Sequence, residues 1–104
     1  MNRRTLLATA PALLATPALA QAPWRPERGV TMICPFAAGG ATDVMGRLAA
    51  GPMGTRLGQP VVVENVTGAS GAIGAQRAAR ATPDGHTIFV GHVGIFALNQ
   101  HLFT

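Results

Sequence analysis

With 104 residues the chain has room for one small domain at most, and 12% charged against 48% apolar residues is a core-forming composition, which excludes a disordered chain. All eight basic residues are Arg, scattered and not interleaved with aromatics, so no nucleic-acid surface is expected. The formal charge of +4 falls to +2 once Arg3 and Arg4 are set apart with the leader they belong to.

That leader is the first element. Arg3 and Arg4 precede a short apolar run, and Ala18, Leu19 and Ala20 stand before Gln21. A charged head, a brief apolar stretch and an A-x-A end define a secretory signal peptide over residues 1–20, cut after Ala20. Its apolar run is too short and too interrupted by proline to span a membrane, so the protein is not expected to be membrane-embedded. The Arg pair fits general and twin-arginine export equally. No Cys stands at the cleavage site, so no lipid anchor is expected.

The mature chain opens with an extended lead-in over residues 21–29, containing Pro23, Trp24 and Pro26. The run from Val30 to Phe36 is nearly all apolar, as in a parallel strand covered on both faces. Pro35, Phe36, Ala37, Ala38, Gly39, Gly40, Ala41, Thr42 and Asp43 then form a glycine turn leading into a helix. A helix start has unpaired N–H groups and the positive end of the dipole, so this turn reads either as an anion cradle or as a plain tight connection. Thr42 or Ala41 caps a helix to Leu57, with Val44, Met45, Leu48, Ala49, Met53 and Leu57 at helical spacing. Asp43 and Arg47 are four apart and can pair. Pro52 predicts a kink or break, because it cannot donate to the carbonyl of Leu48.

Gly58 is a C-cap, and Val61 to Asn65 reads as a second buried strand. Gly68, Gly71 and Gly74 recur across the next strand-to-helix junction, with Ser70 as its N-cap. The following helix reaches Ala81; Ala72, Ala75 and Ala79 suit close packing on a sheet, and Arg77 and Arg80 suit solvent. Residues 82–85 (Thr-Pro-Asp-Gly) form a turn, residues 87–91 a third strand, and His92, Val93 and Gly94 a third turn before an apolar helical piece from Ile95 to Leu98. The order is βαβαβ, which right-handed crossovers make an α/β parallel sheet with flanking helices. All three glycine-bearing turns fall at the carboxyl ends of the strands, where such sheets bind ligands.

Other chemistry finds little support. Residues 68–74 are not a G-x-G-x-x-G fingerprint and no P-loop Lys follows any turn. His86, His92 and His101 lack metal-ligand spacing, so no metal and no cofactor are expected. Cys34 has no partner for an internal disulfide and no nearby base, and reads as a small buried hydrophobe. No catalytic residue is assigned.

Four segments, PFAAGGATD, RLGQPVVVEN, GASGAIGA and PDGHTIFVG, followed by NQHLF, resemble the start of the tripartite tricarboxylate transporter substrate-binding receptors, the Bug family. The resemblance covers residues 35–103 in order and spacing. It implies a periplasmic, two-lobed receptor of the type 2 periplasmic-binding-protein kind that passes a small carboxylate to membrane permease subunits. Residues 21–104 would then be an incomplete first lobe. The resemblance implies ligand contacts from Phe36, Ala37, Ala38, Gly39, Gly40, Thr42 and Asp43, largely through backbone N–H groups, with Ser70, Gly71, His92, Val93 and Gly94 lining the same cleft. The alternatives are an exported α/β enzyme fragment with an anionic or nucleotide-like ligand, and a truncated remnant without function.

Overall fold

The computed structural model describes residues 22–102; the leader with its cleavage site, Gln21, and the final Phe103 and Thr104 lie outside the described residues. The elements are β1 (Val30–Cys34), α1 (Ala41–Leu57), β2 (Val61–Asn65), a 3₁₀ turn (Ala69–Gly71), α2 (Ala72–Arg80), β3 (Thr87–Phe89), a π-helical turn (Gly94–Leu98) and α3 (Asn99–Leu102). The three strands form one parallel sheet in the order β2-β1-β3. The chain leaves β1 in one direction through α1 and returns past it through α2. With right-handed crossovers, that reversal puts the two helices on opposite faces.

The apolar run of the sequence is the central strand. Val30, Met32, Ile33 and Cys34 are buried, which is what a strand covered on both faces requires. Val30 lies beside Val61 and Ile33 beside Glu64; on the other side Met32 lies beside Ile88. β2 is an edge strand and only half-buried, with Val62 exposed, so the expectation of a buried second strand does not hold. Its apolar composition belongs to a strand with no described neighbour beyond it.

α1 departs from its expected form in three ways. It runs unbroken through Pro52, whose position on the exposed side leaves the missing hydrogen bond away from the packed face. Its N-cap is Gly40, not Thr42 or Ala41: Val44 N–H makes the first helical bond to the Gly40 carbonyl at 2.9 Å. Its buried face is Asp43, Gly46 and Ala50, while Val44, Met45 and Leu48 are exposed. Gly46 is what brings the helix close: a Cβ there would stand 3.3 Å from Met32 Sδ and 3.4 Å from Val90 Cγ1. Gly58 ends the helix in the left-handed region, its N–H donating to the Gly54 carbonyl at 2.9 Å.

α2 approaches even more closely. Its buried contacts are Gly71 and Gly74, with Ala75 and Ala78 half-buried; Ala72 and Ala79, expected against the sheet, are exposed. Arg77 is not merely solvated but pairs with Glu64 of β2 at 2.6 Å across the sheet face. At the opposite end of the sheet the lead-in is pinned down. Glu27 N–H donates to His86 Nε2 at 3.2 Å, Arg28 pairs with Asp84 at 2.8 Å, and Trp24 meets His86 edge-on with ring centroids 5.7 Å apart. Among the described residues no helix is long and apolar enough to cross a membrane.

Candidate functional site

Parallel strands send all three following turns to one end of the sheet, and the order β2-β1-β3 makes the end of β1 the point where the connections diverge. The first turn is built around Asp43. The residue is 2% exposed, although it belongs to the first turn of a helix. Gly39 N–H donates to its Oδ2 at 2.9 Å, Asn65 Nδ2 to its Oδ1 at 2.9 Å, and Arg47 Nε reaches both oxygens at 3.1 and 3.0 Å. Arg47, then Gly39 and Asn65, hold the carboxyl at about 2, below its ordinary 3.8. A carboxylate so occupied is an organiser of the turn.

Asn65 extends this organisation. Its Nδ2 also donates to the Phe36 carbonyl at 2.9 Å and its Oδ1 accepts from Arg47 Nη2 at 3.2 Å. Asn65 is not among the site residues expected from the sequence. The available signal was its place as the last residue of β2, beside Cys34 in the register, where a side chain reaches the neighbouring turn. Gly40 N–H closes the turn on the Ala37 carbonyl at 3.2 Å, and Gly39 takes φ +85°. The N–H groups of Gly39 and Gly40 are therefore used internally. Those of Ala37, Ala38, Ala41 and Thr42 have no partner among the described residues. Ala37, Ala38 and Ala41 are exposed and Thr42 is half-buried.

The second turn is a run of four residues with positive φ: Gly68 at 124°, Ala69 at 47°, Ser70 at 54° and Gly71 at 90°. Ser70 is thus not the helix N-cap; Gly71 is, and it makes no side-chain cap bond. Two successive non-glycine residues in the left-handed region are costly, at roughly 1–2 kcal/mol each. Such strain persists where surrounding contacts impose it. Here Gly71 N–H donates to the Gly68 carbonyl at 3.0 Å, and Asn99 Nδ2 donates to the Ser70 carbonyl at 3.2 Å. Gly71 is also wedged against Ile95 and Pro35, so a Cβ there would stand 2.8 Å from Ile95 Cδ1.

The third turn closes the group. His92 stacks face to face on Phe36, with ring centroids 4.8 Å apart and planes 3° apart. Gly94 N–H donates to His92 Nδ1 at 3.0 Å, and the His92 carbonyl accepts from Ile95 at 3.0 Å to start the π-helical turn. Val93 is exposed beside it. Phe36, Ser70, Gly71, His92 and Gly94 are therefore linked across three turns through Pro35, Ile95 and Asn99. A cavity of about 540 Å³ lies elsewhere, between the sheet and α2, lined by Thr31, Ile33, Glu64, Ile73, Arg77 and their neighbours. It collects none of the predicted site residues, and Arg77 and Glu64 in it already neutralise each other. Cys34 is buried, and among the described residues no three His, Cys, Asp or Glu side chains gather as a metal site.

The chain matches the Tripartite tricarboxylate transporter family receptor (TctC) over residues 45–104. It is 43% identical to BugT of Bordetella pertussis over 93 residues, covering 86% of this chain and 28% of BugT. Among solved structures, MatC of Rhodopseudomonas palustris with bound malate superposes at TM-score 0.74 with 48% identity, covering 76% of this chain and 27% of that one. A second R. palustris protein, solved with adipate, superposes at TM-score 0.67 with 42% identity over 69% of this chain and 24% of the other. The chain thus spans about a quarter of the length of these relatives. These are solute-binding receptors and not enzymes, which removes the exported-enzyme reading. With a match over more than half its residues, and a fold shared with the periplasmic binding protein BugD at TM-score 0.60 and 55% identity over 62% of this chain and 21% of that one, the chain belongs to the Bug family of tripartite tricarboxylate transporter receptors.

Proposed function

We propose that residues 21–104 form part of the first lobe of a periplasmic solute-binding receptor. It captures a small carboxylate and passes it to the membrane permease subunits of a tripartite tricarboxylate-type transporter. Residues 1–20 act as its signal peptide. The carrying observation is the set of exposed, unpartnered N–H groups at Ala37, Ala38, Ala41 and Thr42, held in place by the buried Asp43 network. Two similar proteins carry carboxylates, malate and adipate, which is the ligand class such a donor set suits. In this reading Gly39, Gly40 and Asp43 shape the cradle, and Ser70, Gly71, His92, Val93 and Gly94 form its facing wall.

The energetics are adequate. A helix N-terminus contributes about 0.3–1 kcal/mol toward an anion, and up to ~2 when partly buried. Charge-assisted hydrogen bonds add roughly 1.5–3 kcal/mol each. Three such bonds reach about the −8 kcal/mol of micromolar binding before ordering costs are deducted. The test is an NMR titration of the chain with malate and adipate. The Ala37, Ala38, Ala41 and Thr42 amide signals shift, and Gly40→Val, whose Cβ would stand 3.2 Å from the Ala37 carbonyl, abolishes the shift. No response of these amides to either acid at millimolar concentration overturns the proposal. Export is tested by intact mass: the exported protein starts at Gln21, and a product retaining Met1 refutes the signal peptide.

A further inference from the structure

We infer that His92 is a specificity-determining hydrogen-bond donor of this site, presenting Nε2–H to the bound carboxylate. The inference rests on the carboxylate-receptor reading above. Gly94 N–H donates to His92 Nδ1 at 3.0 Å, so Nδ1 carries the lone pair and the neutral ring bears its proton on Nε2. The ring cannot swing freely, because it lies flat on Phe36 with centroids 4.8 Å apart. Tautomer and orientation are thus both set by contacts. Phe36 immediately precedes the unpartnered N–H groups of Ala37 and Ala38, so the stack holds the imidazole beside that donor cluster. His92 is exposed, and its Nε2 has no partner among the described residues.

The alternatives at the site are weaker. Arg47 has its Nε on Asp43 and its Nη2 on Asn65. Thr42 and Ser70 offer only hydroxyls. Among the described side chains within the three turns themselves, residues 36–43, 68–71 and 92–94, His92 is the one that carries a nitrogen donor free to meet a ligand. A donor on one wall facing backbone N–H groups on the other suits a ligand with acceptor oxygens on both sides, as a hydroxy-dicarboxylate has. Phe36 is a positioning residue in this arrangement.

Malate is titrated into the wild-type chain and into His92→Phe, His92→Gln and Phe36→Leu, following backbone amide shifts and the imidazole ¹⁵N signals. His92→Phe keeps an aromatic ring for the stack and deletes the donor; malate affinity falls about tenfold or more, as expected for one hydrogen bond to a charged group. His92→Gln restores a donor and recovers most of the loss. Phe36→Leu leaves the donor in place and moves the imidazole ¹⁵N signals away from the single tautomer. Unchanged affinity in His92→Phe, or equal losses in His92→Phe and His92→Gln, overturns the donor role while wild-type binding stands. A wild-type chain that ignores malate but answers to adipate overturns this inference alone, and one that ignores both acids overturns it together with the receptor reading.

Discussion

Gly74 offers a sharp test of how the site is positioned. A Cβ at this residue would stand 2.7 Å from the Val66 carbonyl oxygen and 3.0 Å from both Cα and Cβ of Pro35. All of these are backbone or ring atoms, and ordinary carbon contacts begin near 3.4 Å, so α2 must retreat from the end of β1 by about 0.7 Å. Overpacking of this kind costs typically 1–3 kcal/mol. Alanine returns up to about 1 kcal/mol of helix propensity. The net expectation for Gly74→Ala is a loss of roughly 1–2 kcal/mol, or about 4–16 °C in Tm for a domain this small. Two further glycines of the same secondary structure calibrate it. Gly46→Ala meets the flexible end of Met32 at 3.3 Å and loses less. Gly51→Ala meets nothing within 4 Å, and its helix gain is offset by the restriction on a residue before Pro52, leaving it near neutral. Thermal and urea unfolding followed by circular dichroism give the order. A Gly74→Ala chain as stable as Gly51→Ala refutes the claim that α2 is seated by backbone contact at the site.

Acid stability follows from the two carboxylates held at about 2, Asp43 by Arg47, Gly39 and Asn65 and Asp84 by His86 N–H and Arg28. A lowered folded-state value means stability present above the ordinary value of 3.8 and lost as pH falls toward 2, so unfolding midpoints drop across that window and do so less in Asp43→Asn. Gly39→Ala must hold φ +85° with nothing within 4 Å of its Cβ; it destabilises by about 1 kcal/mol through backbone strain alone, which urea titration reads. His86→Ala removes the acceptor of Glu27 N–H and the ring facing Trp24, so the emission of this sole tryptophan moves to the red; an unchanged spectrum means the lead-in is not docked there.

Much of this molecule is decided by local sequence. An apolar five-residue run makes β1, Gly58 terminates α1 in the left-handed region, and Pro83 and Gly85 turn the chain before β3. These depend on periodicity and on backbone freedom, which act within a few residues. The parallel order of the strands follows from alternation with helices, and with it the gathering of three glycine turns at one end. Tertiary structure decided which of the available groups face which. Asp43 is a surface residue by helix position, yet Asn65 from another strand and the Gly39 N–H bury it. Ser70 has the chemistry of an N-cap, yet packing of Gly71 against Ile95 and Pro35 drives it into the left-handed region. Val44, Met45 and Leu48 have helical apolar spacing, yet the small residues Gly46 and Ala50 set the packed face, because close approach to the sheet leaves no room for larger ones. The stack of Phe36 on His92 joins residues 56 positions apart, and only the adjacency of β1 and β3 brings them together.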